Sequence, residues 1–405
     1  MADKSMYENP ESTRQKSAEE SEPYVLSAED QTWLDEVYEK ILVKMKAEVR
    51  RVGTTIPYIS HDGKYADLEK KAGLYFWTNG FWPGILWQMY NATGDEVYRT
   101  YAEGVETRIE EILTGFEGLD HDIGFMFLPM SVANWRKTGN EHARRNGLHA
   151  ANLLAGRFNP VGDYIRAWND SPFFGDVSGS MIIDCMMNLP LLYWAADECK
   201  DPRFCHIAVA HAKTAQKYIV RPDGSCNHIL FFDAQTGEFI TNPGGQGYGQ
   251  NSSWSRGQGW AVYGFSLSHR HTGDESSLAT AKQCAHYCIA NLAVNGWLPL
   301  SDYRAPAEPV KYDSTAGMLT AAGLLELADH VGGYEKKLYA QSAVNILKAC
   351  EKKFCNWNVD EDAIVGGGTL CYHDSGAETY QPIIYGDYYF IEAILRLEGK
   401  SMFIW

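Results

Sequence analysis

One aspartate, Asp184, lies in a stretch of the sequence, residues 181–192, that is otherwise almost wholly apolar. Burial of a carboxyl group removes its water, which raises its pKa and suits it to act as a general acid. The stretch predicts a helix, on which Asn188 would share a face with Asp184 and could contact the same ligand. The alternative is a buried aspartate that only hydrogen-bonds a backbone group, but a buried carboxylate is costly unless it is paired or used.

A second carboxylate, Asp122, follows Asp120 and His121 at the start of another apolar segment. Either aspartate could simply cap the helix that begins there. The functional interpretation is that Asp122 and Asp184 project from two separate helices into one pocket. Two carboxyl groups held in this way are the arrangement used in sugar hydrolysis.

Aromatic and polar side chains cluster at two further predicted helix starts, residues 77–84 and 254–260. Glycines are tolerated at a helix start where another group approaches closely, and Arg256 could pair with a carboxylate on a ligand. Trp77 and Trp260 would each suit plain core packing, yet the cluster as a whole favours a saccharide pocket, because flat rings stack on sugars. Three further candidates, each of which could equally be an ordinary loop or strand residue, are His228, Gln246 and Tyr372.

The sequence lacks the short motifs of several other enzyme classes. It contains no P-loop, no dinucleotide-binding glycine motif, no HExxH metalloprotease motif and no GxSxG serine-hydrolase motif. No CxxC with paired His or Cys partners is present, which argues against a zinc site.

Composition limits the partners and the compartment. The 405 residues carry a net charge of −16, which would repel polyanions and argues against nucleic acid or a membrane surface as a partner. No uncharged apolar run is long enough for a membrane span. The nine cysteines, an odd number scattered through helical segments, favour reduced thiols and a cytoplasmic location. Residues 1–24 are polar, lack the apolar core of a signal peptide, and are predicted to form a flexible tail.

Helical periodicity dominates residues 25–405, which we expect to form a single domain. A glycine that ends one helix and an Asp or Asn that caps the next are typical of helical hairpins. A first hairpin turning near residues 56–72 would bring the number of hairpins to six. Six hairpins can close into an all-α (α/α)6 barrel, with an open helical solenoid as the alternative, and short strands are expected within residues 227–247. The five turns that carry this pattern are residues 93–95, 138–140, 199–201, 272–274 and 331–333.

Taken together, these motifs resemble the unsaturated glucuronyl hydrolases of glycoside hydrolase family 88. The matching segments occur in the order found in that family and span residues 30–398; they are residues 77–82, 121–125, 182–192, 254–260, 313–316 and 386–393. The resemblance implies an (α/α)6 barrel that releases a 4,5-unsaturated uronic acid from the non-reducing end of short, lyase-generated oligosaccharides. It also implies a reaction that needs no metal and no organic cofactor.

The resemblance further implies a role for each site residue. Asp184 would protonate C4 of the C4=C5 double bond and then activate the water that adds at C5, after which the hemiketal collapses and the glycosidic bond breaks. Asp122 would hold the sugar hydroxyls and support the developing charge. The residues implied to surround the sugar are Trp77, Trp168, His228, Gln246, Arg256, Trp260 and Tyr372.

Two departures from the family pattern affect specificity. Many relatives read Asp-His-His-Asp where this chain has residues 119–122, so the partner of Asp122 differs. Some members that accept sulfated disaccharides carry Ser-x-Ser-x-Lys at residues 371–376, where this chain has no lysine and where Asp374 would repel a sulfate. We therefore expect a preference for unsulfated or lightly sulfated substrates.

Three other functions fit parts of the pattern. An unsaturated rhamnogalacturonyl hydrolase would share the fold and chemistry but act on a different aglycone. A sugar epimerase or isomerase would place pairs of histidines in the pocket, and a glycan-binding toroid would bind without catalysis. The sequence leaves the preferred linkage and the oligomeric state open.

Overall fold

The computed structural model describes residues 24–70, 73–115, 118–172, 175–375 and 379–405. These residues are mostly helical. The helices in chain order are α1 (Ala28–Val52), α2 (Phe81–Thr93), α3 (Glu96–Ile109), α4 (Ile112–Gly115), α5 (Ile123–Phe127), α6 (Ala133–Thr138), α7 (Glu141–Ala155), α8 (Leu189–Cys199), α9 (Pro202–Tyr218), α10 (Ser255–Thr272), α11 (Glu275–Val294), α12 (Ser314–Asp329), α13 (Gly333–Phe354) and α14 (Ile384–Leu397). A π-helical turn, Leu128–Val132, joins α5 and α6, and 3₁₀ turns lie at Leu68–Lys70, Trp77–Gly80 and Ile183–Met187.

The helices form two concentric rings. The inner ring consists of α2, α5 with α6, α8, α10, α12 and α14, and the outer ring of α1, α3, α7, α9, α11 and α13. Inner helices are hydrophobic all round: α12 is buried from Ser314 to Ala328, and α14 from Ile384 to Leu395. Helix α14 packs against both α12 and α2, so the inner ring closes. The predicted (α/α)6 barrel is confirmed and the open solenoid is wrong.

The five predicted turns each connect an inner helix to the outer helix that follows it. Gly94, Gly139 and Gly273 end their helices with φ values of 70°, 72° and 71°, a left-handed conformation that glycine adopts without steric cost. The side chains of Asp95 and Asp274 then accept hydrogen bonds from the first turns of α3 and α11. These turns are local features, which is why the sequence identifies them.

The expected first hairpin is wrong in its pairing, although the total of six pairs holds for the part of the chain that the structure describes. The described residues between Val52 and Phe81 do not form a hairpin turn, and they lie between outer helix α1 and inner helix α2. Helix α1 instead packs against α14, so the sixth pair joins opposite ends of the chain.

Three small antiparallel sheets accompany the helices. The strands are β1 (Ser60–His61), β2 (Lys64–Tyr65), β3 (Phe158–Asn159), β4 (Tyr164–Ile165), β5 (Ser180–Ile182), β6 (Ile229–Phe232) and β7 (Phe239–Gly244). The predicted strands within residues 227–247 are confirmed as β6 and β7, and β5 pairs with β6 through Met181 and Leu230.

The helix predicted over residues 181–192 is correct only for its second half. The segment begins as β5, continues through the 3₁₀ turn Ile183–Met187, and becomes helical at α8. Pairing with β6, which lies more than forty residues later in the chain, overrides the helical pattern of the first residues.

Aromatic side chains fill the axis of the inner ring. The Phe125 ring lies 5.1 Å from that of Trp260, and Tyr389 stacks on Trp405 with centroids 6.1 Å apart. These rings are buried, so they contribute to the core.

The predicted tail falls almost entirely on residues 1–23, which lie outside the described residues. Tyr24, its last residue, belongs to the fold, because its hydroxyl donates a hydrogen bond of 2.5 Å to Gln341 Oε1. Among the described helices, none is both long and apolar enough to cross a bilayer.

Candidate active site

The candidate residues lie at one end of the barrel. Each inner helix is followed by an outer helix that runs back, so successive inner helices begin at the same end. Trp77 opens the 3₁₀ turn before α2, Asp122 directly precedes α5, Asp184 lies in the 3₁₀ turn before α8, and Arg256 lies in the first turn of α10. The helix-start motifs of the sequence therefore meet in space.

Asp184 has the environment of a general acid. Its side chain is 19% exposed, but Oδ1 is fully buried and has no hydrogen-bond partner. Burial raises the pKa of this carboxyl group to about 7, and the positive charge of Arg256 acts against that shift. Near neutral pH the group can therefore both give and take a proton.

His228 faces Asp184 from the start of β6. Its Nδ1 accepts a 3.0 Å hydrogen bond from the backbone N–H of Gln246, so the ring proton of the neutral imidazole lies on Nε2. Nε2 is 3.7 Å from Asp184 Oδ1. Burial lowers the pKa of His228 to about 3, and the charge of Arg256 lowers it further, so the ring stays neutral at physiological pH.

Asn188 links the carboxyl group of Asp122 to the backbone of Asp184. Its Nδ2 donates to Asp122 Oδ1 at 3.1 Å and to the backbone oxygen of Asp184 at 3.3 Å. Its Oδ1 accepts the backbone N–H of Phe125 at 2.7 Å. The predicted proximity of Asn188 and Asp184 is thus present, through backbone and amide contacts.

Asp122 does not cap a helix. It occupies the position before α5, but its carboxylate makes no hydrogen bond to that helix. Asp120 Oδ1 accepts the backbone N–H of Asp122 at 2.9 Å and so does not cap the first turn of α5, where Asn188 Oδ1 accepts the N–H of Phe125. Burial raises the pKa of Asp122 well above its ordinary value, and the nearby carboxylates of Asp120 and Asp184 raise it further. The capping alternative is therefore wrong.

Arg256 is buried, and acceptors of the protein already bind both of its terminal nitrogens. Its Nη1 donates to Asp313 Oδ2 at 2.8 Å, to Thr315 Oγ1 at 3.0 Å and to the carbonyl oxygen of Thr369 at 3.1 Å, while Nη2 donates to the carbonyl of Leu370 at 2.8 Å. Because protein acceptors already bind Nη1, this nitrogen is not free to donate a hydrogen bond to a ligand carboxylate, the role expected for Arg256. What the guanidinium supplies to the site is a fixed positive charge near Asp184.

Trp77 and Trp260 differ in what they offer a ligand. Trp77 is only partly buried, with its ring 5.0 Å from that of Tyr385 and 5.4 Å from that of Phe125. Trp260 is 1% exposed and lies beneath Phe125 and Tyr389. The Trp260 ring therefore packs in the core of this structure, and its contact with the sugar stays a prediction.

Gln246 and Tyr372 extend the site away from His228. The backbone N–H of Tyr372 donates to the carbonyl of Gln246 at 2.8 Å, and Gln246 Nε2 donates to the carbonyl of Leu370 at 2.9 Å. The Tyr372 ring meets that of Tyr248 edge-on, with centroids 5.1 Å apart. These contacts join the predicted Gln246 and Tyr372 to the backbone that also binds Arg256.

Trp168 lies on the other side of the site. Its partly buried ring packs against Ile182, which ends β5 two residues before Asp184, and against Ile229, which begins β6 directly after His228. The structure therefore places nine of the ten predicted residues around one site, with Trp260 beneath it.

Several site residues escaped the sequence reasoning. Trp254 covers His228, with ring centroids 4.2 Å apart, and also lies 4.6 Å from the Arg256 guanidinium, while Tyr385 flanks Arg256 from α14 at 5.3 Å. Trp254 and Asp313 belong to the motif segments 254–260 and 313–316, so the sequence could have identified them as site residues. Tyr385 lies outside every motif segment, so no pattern in the sequence indicates that it belongs to the site.

Arg157 is a further omission, and it joins two segments of the site. It donates hydrogen bonds to the carbonyl oxygens of Leu119, Arg166 and Ala167 and to Asn169 Oδ1, at distances of 2.9–3.2 Å. One guanidinium thereby holds the segment before Asp122 against the segment that carries Trp168.

Comparisons with known proteins agree with this geometry. The family model described as Glycosyl Hydrolase Family 88 matches residues 48–277. The unsaturated glucuronyl hydrolase of Bacillus sp. (strain GL1) is 36% identical over 365 residues, covering 88% of this chain and 94% of that protein. The unsaturated chondroitin disaccharide hydrolase of Streptococcus pyogenes serotype M1 is 30% identical over 343 residues, covering 83% of each.

A solved structure gives the same result. A substituted form of a protein designated UGL, together with dGlcA-Glc-Rha-Glc, has a TM-score of 0.84 and 33% identity, covering 90% of this chain and 96% of that chain. The resemblance drawn from the motifs is thus confirmed by independent matches of sequence and of structure. On this basis the chain is a glycoside hydrolase, and it belongs to glycoside hydrolase family 88.

Proposed function

We propose that this enzyme releases 4,5-unsaturated glucuronic acid from the non-reducing end of short, lyase-generated oligosaccharides. The observation that carries the proposal is Asp184, a carboxyl group with a pKa of about 7 and a buried, unpartnered Oδ1 at the end of the barrel. Two named relatives, a glucuronyl hydrolase and a chondroitin disaccharide hydrolase, support this substrate class.

Asp184 performs the proton transfers. In its neutral form it protonates C4 of the C4=C5 double bond, which leaves positive charge at C5 and the ring oxygen. The resulting carboxylate then takes a proton from the water that adds at C5. The hemiketal collapses, and the glycosidic bond breaks without direct displacement at the anomeric carbon. A group with a pKa near the working pH suits both steps.

Asp122 and Arg256 shape the electrostatics of these steps. Asp122 Oδ1 accepts a hydrogen bond from Asn188 Nδ2, the nitrogen that also donates to the backbone oxygen of Asp184, and the oxygens of Asp122 can also accept hydrogen bonds from sugar hydroxyls. Arg256 provides a fixed positive charge that favours the ionised form of Asp184 after proton transfer. Trp77 and Trp168, both partly buried, provide ring faces for the sugar.

The preference for unsulfated substrates rests on the segment that begins at Cys371. Asp374 Oδ2 accepts the backbone N–H of Cys371 at 2.7 Å, so a carboxylate occupies this position. Lys311 approaches the segment, but its Nζ already donates to the carbonyl oxygens of Tyr372 and Asp374, at 2.6 Å and 3.2 Å. Gly376 of the same segment lies outside the described residues. The carboxylate of Asp374 would repel a sulfate here, and the ammonium group of Lys311 is already hydrogen-bonded to the backbone.

The test is a spectrophotometric assay in which unsaturated disaccharides lose the absorbance of the C4=C5 chromophore. The wild-type protein should remove it, with higher kcat/KM for an unsulfated disaccharide than for its 2-sulfated or 6-sulfated counterpart. Asp184→Asn should lower the rate by about a hundredfold or more, the usual value of a general acid. Asp176→Asn changes an exposed aspartate and should leave the rate unchanged.

Three results would contradict the proposal. Near-normal rates in a folded Asp184→Asn variant would remove Asp184 as the acid. Saccharide binding by the wild-type protein without any chromophore loss would favour the non-catalytic toroid. Faster turnover of a sulfated disaccharide would refute the unsulfated preference.

We also propose a cytoplasmic location. All nine cysteines are unpaired thiols in the structure, which suits a reducing compartment. Cell fractionation with an antibody to the protein tests this directly.

A further inference from the structure

Two buried polar atoms face each other without a hydrogen-bond partner. They are Oδ1 of Asp184 and Nε2 of His228, and they are 3.7 Å apart. Leaving a buried donor and a buried acceptor unpaired is costly, so a pair that lies within reach but just short of contact requires an explanation. The gap is too long for a hydrogen bond and short enough for a small side-chain rotation to close.

The tautomer of His228 is set by a glycine turn. Gly244 and Gly245 have φ values of +99° and +109°, which glycine adopts readily and other residues rarely do. This conformation directs the backbone N–H of Gln246 at His228 Nδ1, and a Cβ atom on Gly245 would overlap that same nitrogen. Because Nδ1 is an acceptor, Nε2 carries the proton and has no lone pair with which to act as a base.

We infer that His228 is a positioning residue for Asp184, whose Nε2–H closes onto Oδ1 when the carboxyl group has given its proton to the substrate. The turn at Gly244 and Gly245 fixes the tautomer that makes this possible. This inference rests on the proposed role of Asp184. The proton that reaches C4 comes from Asp184 alone, and His228 keeps its own proton throughout, so the ring contributes a hydrogen bond and no proton transfer.

The other charged groups around Asp184 cannot replace this contact. Arg256, on α10, is held away by its own acceptors, although its charge reaches Asp184. Asp122, before α5, and Tyr389, on α14, lie close enough for the charge of Asp184 to raise their pKa values, but neither makes a hydrogen bond to Asp184 Oδ1. His121 faces Asp122, with its Nε2 3.4 Å from Oδ1 of that residue. The approach to Asp184 Oδ1 that the structure shows is that of His228 Nε2, at 3.7 Å.

The consequence is a defined dependence of the rate on pH. The acid is active while Asp184 is protonated, so kcat/KM falls as pH rises through the pKa of that group. A donor on the carboxylate lowers this pKa, and its removal raises it. Loss of the Nε2–H should therefore slow the reaction. It should also move the alkaline limb, the fall of kcat/KM at high pH, to higher pH. A role that is only structural would lower the rate equally at every pH.

The experiment compares His228→Gln, which keeps an N–H donor, with His228→Phe, which has none. We expect the phenylalanine variant to lose kcat about a hundredfold with little change in KM, and its alkaline limb to lie at higher pH. The glutamine variant should recover part of the rate and keep the wild-type limb. Gly245→Ala should move the limb in the same direction as phenylalanine. Gly249→Ala is the matched control, because a Cβ there meets nothing within 4 Å.

A second measurement does not depend on any variant. Nitrogen-15 NMR of the wild-type histidine rings should find His228 neutral and protonated on Nε2 from pH 5 to pH 9. The inference is overturned if the Nδ1–H tautomer is found, if the ring titrates in this range, or if the limb of His228→Phe does not move. These outcomes leave the proposed function intact, whereas that function fails separately if the wild-type protein does not consume the chromophore.

Discussion

Asp184→Asn should make the protein more stable above pH 7, although it removes the proposed catalytic acid. The pKa of Asp184 lies at about 7 in the fold against an ordinary value of 3.8, mainly because the group is buried. Each pKa unit corresponds to about 1.4 kcal/mol, so ionising Asp184 in the folded protein costs about 4 kcal/mol more than in the unfolded chain. Asparagine fills the same space and carries no charge to desolvate.

The sign of the effect follows from the direction of this shift. A group whose folded-state pKa is raised contributes stability at low pH, and that contribution is lost as pH rises through the folded value. The loss begins near pH 4, where Asp184 ionises in the unfolded chain, and is complete just above pH 7. Between pH 5 and pH 8 the stability of the variant relative to wild type should therefore increase by about 2–3 kcal/mol.

The assay is urea unfolding followed by tryptophan fluorescence at pH 5 and pH 8, with wild type and variant measured together. Ionisable groups that do not interact with Asp184 titrate alike in both proteins and cancel in the difference. Asp176→Asn is the control, because hydrogen bonds from Ser178 lower the pKa of Asp176, so this variant should not gain stability with pH. If the difference between Asp184→Asn and wild type stayed constant from pH 5 to pH 8, Asp184 would ionise like an exposed carboxyl group. Asp184 would then be ionised at neutral pH and could not act as the acid.

Two further substitutions test how the site is held. Arg157→Lys keeps the positive charge but loses the forked hydrogen bonds of the guanidinium. We expect kcat/KM for an unsaturated disaccharide to fall about tenfold or more. Unchanged kinetics would show that Arg157 does not position the site. Gly80→Ala places a Cβ against the carbonyl oxygen of Phe125 and should destabilise the protein by about 1–3 kcal/mol in urea. Gly156→Ala makes only ordinary contacts and should change stability little, so equal effects of the two glycine variants would contradict the close packing.

The parts of the fold that the sequence could predict are those decided by local interactions. The turns at Gly94, Gly139 and Gly273 need a left-handed residue and a following cap, and both can be read within a few positions. The inner helices are recognisable because a helix that is apolar on every side must be buried. The location of the site could be predicted once the fold was, because the inner helices all begin at one end of the barrel. Residues at these helix starts therefore meet there, independently of the connecting loops.

The parts that could not be predicted depend on distant partners. The stretch before Asp184 is a strand because β6 pairs with it, and no local pattern reports that pairing. Arg256 is satisfied by Asp313 and by backbone carbonyls more than one hundred positions away. The burial of Trp260 similarly depends on Phe125 and Tyr389, which lie on other inner helices.

The acidic surface and the anionic substrate can be reconciled through the placement of the cations. The chain carries a net charge of −16, yet the proposed substrate contains a carboxylate. Both arginines of the site, Arg157 and Arg256, are enclosed by acceptors from the protein, so neither projects as a free positive group that would attract a polyanion. A long anionic polymer would meet the field of the whole surface, whereas a short fragment brings only one or a few charges to the site. The electrostatics therefore favour an enzyme that acts on fragments after a lyase has cut the polymer, and kcat/KM should fall as the unsaturated substrate lengthens at low ionic strength.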